Sequence, residues 1–336
     1  MSRRTSYHNY NALESWESVN DHNKKIVEEY LINLGAEGRS SKTIEKYTHN
    51  LKLFFQWILI HKENAEFHSL KKRDYVAWLN YLVNKQKLSP NRVRVLRSTI
   101  SSLSNFCENI LGEDDDFPEY KGFRNAVIKV NPPVLALVRD KTFLTKEQIE
   151  DLVQILFEKK HHQRALYVML SYITGARKAE IQQMKISDFK KVLDRDGRLY
   201  YKTHPIRCKG RGLEGKIREF IIIKDEIDYW LNLWLEQRAN SNIIDNCDSL
   251  FVVSRGGQYH EIKEDTFNSW CKAFEKIIGV AIYPHAFRGS IATQLVNVEK
   301  RDMSKVQTLL GHKSLETTQH YIQDISGDDI FDLFDE

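Results

Sequence analysis

Apolar residues in the first third of the chain recur every three or four positions, the spacing of an α-helix with one buried face. The last such stretch follows Ser89, a favoured N-cap, and Pro90, which suits the first position of a helix. The four stretches are residues 26–34, 44–58, 75–82 and 93–106. They predict a four-helix bundle, which we place at residues 25–113.

Polar sequence without a helical period flanks this bundle. Residues 1–24 are rich in Asn, Ser and His, which predicts a flexible N-terminal arm. After the bundle, an acidic run and three prolines interrupt the pattern. Such stretches rarely lie inside a core, so we predict a linker over residues 114–142. A chain of 336 residues has room for the second domain that this break implies.

The second domain is predicted to extend over residues 143–322. It opens with Thr145 and Gln148, a capping box ahead of a helical stripe. Its β-prone runs are residues 198–206, 217–223 and 250–253. A Gly-rich, basic turn joins the first two runs, and the remainder has the period of helices. The fold class predicted for the whole chain is therefore mainly α with a small antiparallel β-sheet.

Charge is unevenly distributed along the chain, although the net charge is only +4. Residues 51–100 hold ten Lys and Arg against three Asp and Glu, whereas residues 323–336 hold six acidic residues and no basic one. A basic run by itself most often marks a solvated surface, but cations beside a helix N-terminus also hold phosphates. We predict DNA contact at the junction of the last two helices of the bundle, through Lys85, Lys87, Arg92, Arg94 and Arg97.

The cysteines and the apolar runs argue against several protein classes. The four cysteines lack any C-x-x-C spacing, so the sequence favours neither a disulfide framework nor a zinc site. Apolar runs of about 18 residues, the length of a membrane span, do not occur. The N-terminus also lacks the apolar segment of a secretory signal. We expect a cytoplasmic protein with no membrane partner.

Candidate chemistry begins with Tyr321, nine residues after His312 in the run LLGHKSLETTQHYIQ. A phenol has a pKa of about 10 and is a poor nucleophile at neutral pH, and its attack on a phosphodiester adds negative charge. Such a tyrosine needs cations and a proton acceptor. Upstream, His285 and Arg288 stand three residues apart, which places them on one side of a helical turn.

A further candidate, Arg177, follows a glycine break at the start of a helix, with Glu180 three residues on to orient it. The planar fork of an arginine matches two phosphate oxygens, although a single Arg after Gly most often is an ordinary surface residue. A metal site at His285, His312 and His320 is the alternative. These histidines lack a carboxylate at a zinc-like spacing and have cationic neighbours, so we predict no metal and no cofactor.

The basic turn between the first two β-prone runs contains a candidate proton donor. Lys209 lies at the end of the first run, the best position for reaching into a cleft. Surrounding cations lower the pKa of a lysine towards neutrality, which makes it a useful general acid. Lys216, at the other end of the turn, is the alternative.

The ordered set of these residues resembles the signature of the tyrosine recombinase (phage integrase) family. Its members here are Arg177, Lys209, His285, Arg288, His312 and Tyr321. The resemblance covers residues 25–322 and implies a SAM-like core-binding domain followed by a catalytic domain, in the short arrangement of Xer-type recombinases. Two features depart from the family: Gly289 stands where a second histidine often follows the arginine, and the hairpin turn is longer than usual.

The resemblance implies a reaction in which Tyr321 attacks the scissile phosphate, leaving a 3′-phosphotyrosyl link and a free 5′-hydroxyl. The other roles it implies are phosphate binding by Arg177, Arg288 and His312, proton acceptance by His285, proton donation by Lys209 and orientation of the pocket by Glu180. The alternatives are a type IB topoisomerase, a DNA-binding regulator with an inactive site, and a metal-dependent nuclease.

The resemblance also implies that the partner is double-stranded DNA with paired recombination sites, bound by a tetramer, with accessory proteins as further partners. The acidic tail, residues 323–336, carries Ile330, Phe331, Leu333 and Phe334 among its acids. An amphipathic segment of this kind needs a groove for its apolar face. We expect the tail to dock onto a neighbouring protomer.

Overall fold

The computed structural model describes residues 16–134, 142–208 and 215–311. The chain divides into two compact units. Among the described residues, the first unit comprises residues 16–134 and the second comprises residues 142–208 and 215–311.

The first unit contains the four predicted helices. They are α1 (Asp21–Ala36), α2 (Ser41–His61), α3 (Lys72–Asn80) and α4 (Pro90–Asn109). The side chains of Asn20, Ser40 and Ser89 accept hydrogen bonds from backbone N–H groups in the first turns of α1, α2 and α4. These caps satisfy donors that a helix start leaves without an intrahelical partner. A π-helical turn, Tyr81–Lys85, continues α3. The prediction of a four-helix unit is confirmed.

Aromatic packing holds the four helices together. Phe54 of α2 is fully buried, and its ring lies 4.7 Å from Trp78 and 6.1 Å from Tyr75, both on α3. Large aromatic rings bury more apolar area than any other side chains and so dominate such a core. A buried hydrogen bond of 3.0 Å from Asn50 of α2 to Thr99 of α4 adds a polar cross-link. The helical stripes of the sequence therefore face one another as predicted.

Both ends of the first unit differ from the predicted boundaries. Val19 is only 2 % exposed and α1 begins at Asp21, so the predicted arm over residues 1–24 is too long. The predicted linker over residues 114–142 is also too long, because part of it packs into the bundle core. The buried members are Phe117, Tyr120, Val127 and Val130. Apolar residues placed singly between acids and prolines lack a helical period, which explains why the pattern concealed them.

The second unit is mainly helical and carries small antiparallel sheets. Its helices are α5 (Lys146–Glu158), α6 (His162–Thr174), α7 (Lys178–Gln182), α8 (Lys224–Ala239), α9 (Glu264–Ile278), α10 (Pro284–Thr293) and α11 (Met303–Leu310). Its strands are β1 (Val192–Arg195), β2 (Arg198–Lys202), β3 (Ile206–Cys208), β4 (Lys216–Arg218), β5 (Ile221–Ile223), β6 (Val252–Arg255) and β7 (Gln258–Glu261). The predicted fold class is confirmed.

The two β-prone runs on either side of the basic turn form one bent hairpin. Strand β2 pairs with β5 and, beyond a bend, β3 pairs with β4. At the bend, Thr203 N–H donates to the Phe220 carbonyl at 3.0 Å, and Phe220 N–H donates to the Thr203 hydroxyl at 2.9 Å. Strands β1 and β7 were not predicted, because they are short and mostly exposed, so neither has an apolar face to reveal it.

The core of the second unit is built around Tyr167 of α6. Its ring stacks on Phe267 of α9 at 4.4 Å and meets Phe287 of α10 edge-on at 6.0 Å. This packing holds α6 against α9 and α10, and the candidate site lies at the C-terminal end of α6. Within the described ranges, every helix is too short or too polar to cross a membrane.

Candidate active site

A close junction of three helices forms the floor of the site. Helix α6 ends at Gly175, whose backbone is left-handed with φ +56°. A Cβ atom at this position would lie 2.6 Å from Leu310 Cδ2 of α11 and 3.2 Å from Ile291 Cγ2 of α10. Glycine is therefore required both by its backbone conformation and by the lack of space.

Arg177 begins the next helix and is held by Glu180. The Arg177 N–H donates to Glu180 Oε2 at 2.8 Å, and its guanidinium Nη1 donates to Glu180 Oε1 at 2.8 Å. The Glu180 side chain is 1 % exposed, whereas that of Arg177 is 25 % exposed. The carboxylate thus fixes the arginine from below and leaves its outer part open to solvent. The role of Glu180 in orienting the pocket stays a prediction.

Arg288 lies beneath the same junction and is fully buried. Its Nη1 donates to the Gly175 carbonyl at 2.5 Å, and its Nη2 donates to the Leu310 carbonyl. Both carbonyls belong to helix ends, which carry partial negative charge that a cation stabilises. Arg288 therefore joins the end of α6 to the end of α11 and brings a buried positive charge close to Arg177.

His285 lies one helical turn before Arg288 on α10. The residue as a whole is exposed, yet the protein around its ring desolvates the imidazole enough to lower its pKa below the ordinary value of 6.5. The positive charges of Arg288 and Arg177 lower the pKa further. The imidazole is consequently neutral at pH 7 and able to accept a proton. The structure thus brings together Arg177, Glu180, His285 and Arg288.

Sequence reasoning missed Arg218, a further cation at this site. Strand β4 places its guanidinium 4.4 Å from the centroid of the Phe220 ring, and its Nη2 donates to the Leu309 carbonyl. Burial lowers the pKa of Arg218, while the carboxylate of Glu180 opposes that effect, so the two groups are close. The available signal was the alternation of Lys216 and Arg218, which puts both on one face of a strand.

The remaining members of the predicted set are Lys209, His312 and Tyr321, which lie outside the described residues. Lys209 directly follows Cys208 at the end of β3, and His312 directly follows Gly311, which caps α11. Lys216, the alternative proton donor, is exposed on β4 opposite Cys208. Strand β3 and helix α11, which lead to these undescribed residues, therefore both end close to the arginines described above.

The predicted DNA-binding cations of the first unit fall into two groups. Lys85 and Lys87 are exposed, and Arg92 is half-buried at the start of α4. Arg94 donates to the Pro133 carbonyl at 3.0 Å. Arg97 donates to the carbonyls of Val127, Ile128 and Val130 at 2.9, 3.1 and 2.7 Å. These two arginines hold the segment after α4 against the bundle.

Among the described residues, potential metal ligands come together in the first unit. Within the part of the chain that the structure describes, the one group of three such residues is His22, Glu66 and His68 in the first unit. The positive charges of Arg288 and Arg177 near His285 would repel a cation.

Comparison with known proteins assigns the family. The profile of the phage integrase family matches residues 142–326, and that of the phage integrase N-terminal SAM-like domain matches residues 25–114. The chain belongs to the phage integrase family. It is a tyrosine recombinase, an enzyme that cleaves and rejoins DNA at specific sites.

Curated relatives of this recombinase match along most of their length. The SPbeta prophage-derived recombinase-like protein YomM of Bacillus subtilis is 27% identical over 312 residues, which are 91% of this chain and 89% of the relative. Tyrosine recombinase XerA of Pyrococcus horikoshii is 27% identical over 299 residues, 89% of each chain.

Solved structures share the fold of this recombinase. XerH site-specific recombinase bound to a palindromic difH substrate has a TM-score of 0.66 at 17% identity, with 97% of this chain and 88% of that chain covered. A lambda integrase tetramer bound to a Holliday junction has a TM-score of 0.64 at 18% identity, with 95% and 83% covered. The topoisomerase alternative finds no support among these comparisons.

Proposed function

We propose that this recombinase cleaves DNA through Tyr321, which attacks the scissile phosphate and leaves a 3′-phosphotyrosyl link and a free 5′-hydroxyl. The observation that supports this most is the convergence of Arg177, Arg288 and a neutral His285 at one helix junction. Two guanidinium groups stabilise the charge of the transition state, and the imidazole accepts the phenol proton. His312, one residue beyond Gly311, adds a third donor to the phosphate.

The proposal is tested with Tyr321→Phe on a nicked suicide DNA substrate. The variant loses only the attacking oxygen, so we expect it to bind its site and form no covalent adduct on a denaturing gel. Tyr229→Phe is the matched control, because Tyr229 is an exposed tyrosine on α8 and should react as the wild type does. An adduct from Tyr321→Phe at the wild-type level would assign cleavage to another residue, and cleavage abolished by EDTA would indicate a metal-dependent nuclease.

Lys209 is our candidate for the proton donor to the departing 5′-oxygen. A 5′-bridging phosphorothiolate leaves as a thiolate and needs no general acid. Lys209→Ala should therefore be slow on ordinary DNA and close to the wild-type rate on the phosphorothiolate. Lys216→Ala provides the control, and rescue confined to that variant would transfer the role to Lys216.

We further propose that the enzyme acts in the cytoplasm as a tetramer on paired sites in double-stranded DNA, with accessory proteins assisting assembly. In the first unit, DNA contacts Lys85, Lys87 and Arg92, which lie around the start of α4. The acidic tail, residues 323–336, docks onto a neighbouring protomer. A groove of about 580 Å³ between α5, α6 and α10, with an apolar floor and a charged rim, offers the tail a binding site. Deleting residues 326–336 should reduce recombination on paired sites more than binding to one site.

A further inference from the structure

The C-terminal end of α11 is held by two arginines from separate elements. Arg288 donates to the Leu310 carbonyl, and Arg218 donates to the carbonyl of the preceding residue, Leu309. The last carbonyls of a helix lack partners within the helix. Cations here satisfy those carbonyls and also oppose the negative end of the helix dipole.

The position of Arg218 is itself tightly defined. Strand β4 places it opposite Ile206 in the register with β3. Its guanidinium carbon lies 4.4 Å from the centroid of the Phe220 ring, a cation–π contact that orients the plane of the group. The register of the hairpin and the contact with the Phe220 ring together direct this side chain towards α11.

Gly311 gives independent evidence of how close the contact is. Its backbone is left-handed with φ +66°, and a Cβ atom there would lie 2.9 Å from Arg218 Nη1. The left-handed backbone favours glycine at position 311, and the absence of a Cβ atom lets the chain leave α11 close to the guanidinium. The residue that follows Gly311 in the sequence is His312.

The charged groups near Arg218 include residues of the candidate active site. Glu180 is its main favourable charge partner, and Arg177 is a nearby like charge. Cys208, at the end of β3, is adjacent to the same groups, and burial together with Glu180 raises the pKa of its thiol to about 11. Arg218 thus lies between the hairpin that leads to Lys209 and the helix that leads to His312.

We propose that Arg218 is a positioning residue of this recombinase, which fixes the carbonyl end of α11 so that His312 is presented to the scissile phosphate. The proposal rests on the function proposed above for His312 and Tyr321. Arg218 acts on the backbone of α11, and the contact with DNA is made by the residues beyond it.

The first test measures α11 itself in the free protein, without DNA. Arg218→Gln removes the charge and the stacking contact, so hydrogen–deuterium exchange in peptides covering residues 303–311 should accelerate about tenfold or more relative to wild type. Peptides from the first unit should be unchanged. Arg195→Gln, an exposed arginine on β1, should leave α11 at the wild-type rate. Unchanged exchange in Arg218→Gln would overturn the proposal.

The second test measures cleavage under single-turnover conditions at saturating suicide DNA. Arg218→Gln should cleave about 10- to 100-fold more slowly with unchanged site affinity, because a small misplacement of a catalytic group costs that much. Arg218→Lys keeps the charge and a donor for the Leu309 carbonyl, so it should recover part of the rate. The defect should persist on the 5′-bridging phosphorothiolate, since it does not act through the general acid.

The outcomes separate this inference from the function on which it rests. If wild type forms no adduct, or if Tyr321→Phe still forms one, the proposed function fails. If the adduct depends on Tyr321 and Arg218→Gln cleaves at the wild-type rate, only the positioning role fails. Should Arg218→Gln melt at a temperature too low for assay, Arg218→Lys replaces it in both tests, and wild-type exchange in residues 303–311 together with a wild-type cleavage rate in Arg218→Lys would count against the positioning role.

Discussion

Arginines of the two units make similar contacts with different consequences. Arg97 in the first unit and Arg288 in the second both donate to backbone carbonyls. Arg97 joins a helix to the segment that follows it, and beside it Arg94 does the same. Arg288 joins two helix ends at a point where Arg177 and His285 also converge. The number of cations in a stretch of sequence therefore does not reveal how many remain available to a ligand.

The largest expected effect comes from Arg288→Gln. Cleavage should fall by about 10²–10³-fold, as when one charge-stabilising donor is removed from an active site, and melting should fall by a few degrees because two buried carbonyls lose a donor. The matched control is Arg238→Gln, which removes another buried arginine that binds Asp245 and the Ser249 carbonyl away from this site. It should melt at a similarly reduced temperature and cleave normally below it.

If Arg238→Gln lost cleavage as strongly as Arg288→Gln, the effect of Arg288 would be one of stability alone. Thermal melting and single-turnover cleavage of both variants at 15–20 °C below their midpoints make this comparison.

A smaller effect concerns the pH dependence that the two arginines impose on His285. Desolvation first, then Arg288 and Arg177, keep its pKa below 6.5 in the folded protein. The neutral ring is the proton acceptor, so kcat/KM for cleavage should be constant from pH 8 to about 6.5 and should fall at lower pH as the ring is protonated. In Arg177→Gln one nearby cation is lost, so the midpoint of this fall should move to higher pH.

The pH profile is measured with single-turnover rates at subsaturating DNA, which report the free enzyme. A midpoint above 6.5 in wild type, or one that is insensitive to Arg177→Gln, would separate His285 from the two arginines.

The smallest expected effects separate the two groups of cations in the first unit. Lys87→Gln should lower the slope of log affinity against log salt by about 0.9 and leave melting unchanged, because an exposed lysine contributes through one phosphate. Arg97→Gln should instead reduce the free energy of unfolding by about 1–3 kcal/mol, because the carbonyls of Val127, Ile128 and Val130 lose their donor. A reduced salt slope with unchanged stability in Arg97→Gln would place that arginine on DNA and remove the contrast.

The parts of the fold that the sequence predicted are those with a strong period or a defined local motif. The bundle helices have apolar stripes and caps such as Ser89, and the turn at Gly175 has a glycine at the end of a helical run. The candidate site followed from ordered residue types, of which Arg177, Glu180, His285 and Arg288 can be compared with the structure. The packed segment around Tyr120 was missed because its burial depends on contacts with residues distant in sequence, among them His22.

Arg218 could not be assigned from the sequence for a similar reason. Its partner, the Leu309 carbonyl, lies 91 residues away. A sequence does not distinguish one backbone carbonyl from another, so it cannot show which carbonyl an arginine will bind. The same limit applies to Arg94 and Arg97, whose carbonyl partners made them structural residues as well as candidates for DNA contact. The chemical groups of the side chains can be identified from the sequence, whereas their contacts with the backbone can be identified only from the fold.

The junction at Gly175 has a consequence for saturation mutagenesis of this enzyme. Even alanine at that position would meet Leu310 at 2.6 Å and require a backbone conformation that side chains disfavour. A scan scored by recombination should therefore find position 175 as intolerant as the reacting residues, although it contributes no functional group. Scoring the same library by protein abundance would distinguish loss of a reacting group from loss of folded protein. Tyr321→Phe should accumulate normally, whereas Gly175→Ala should not.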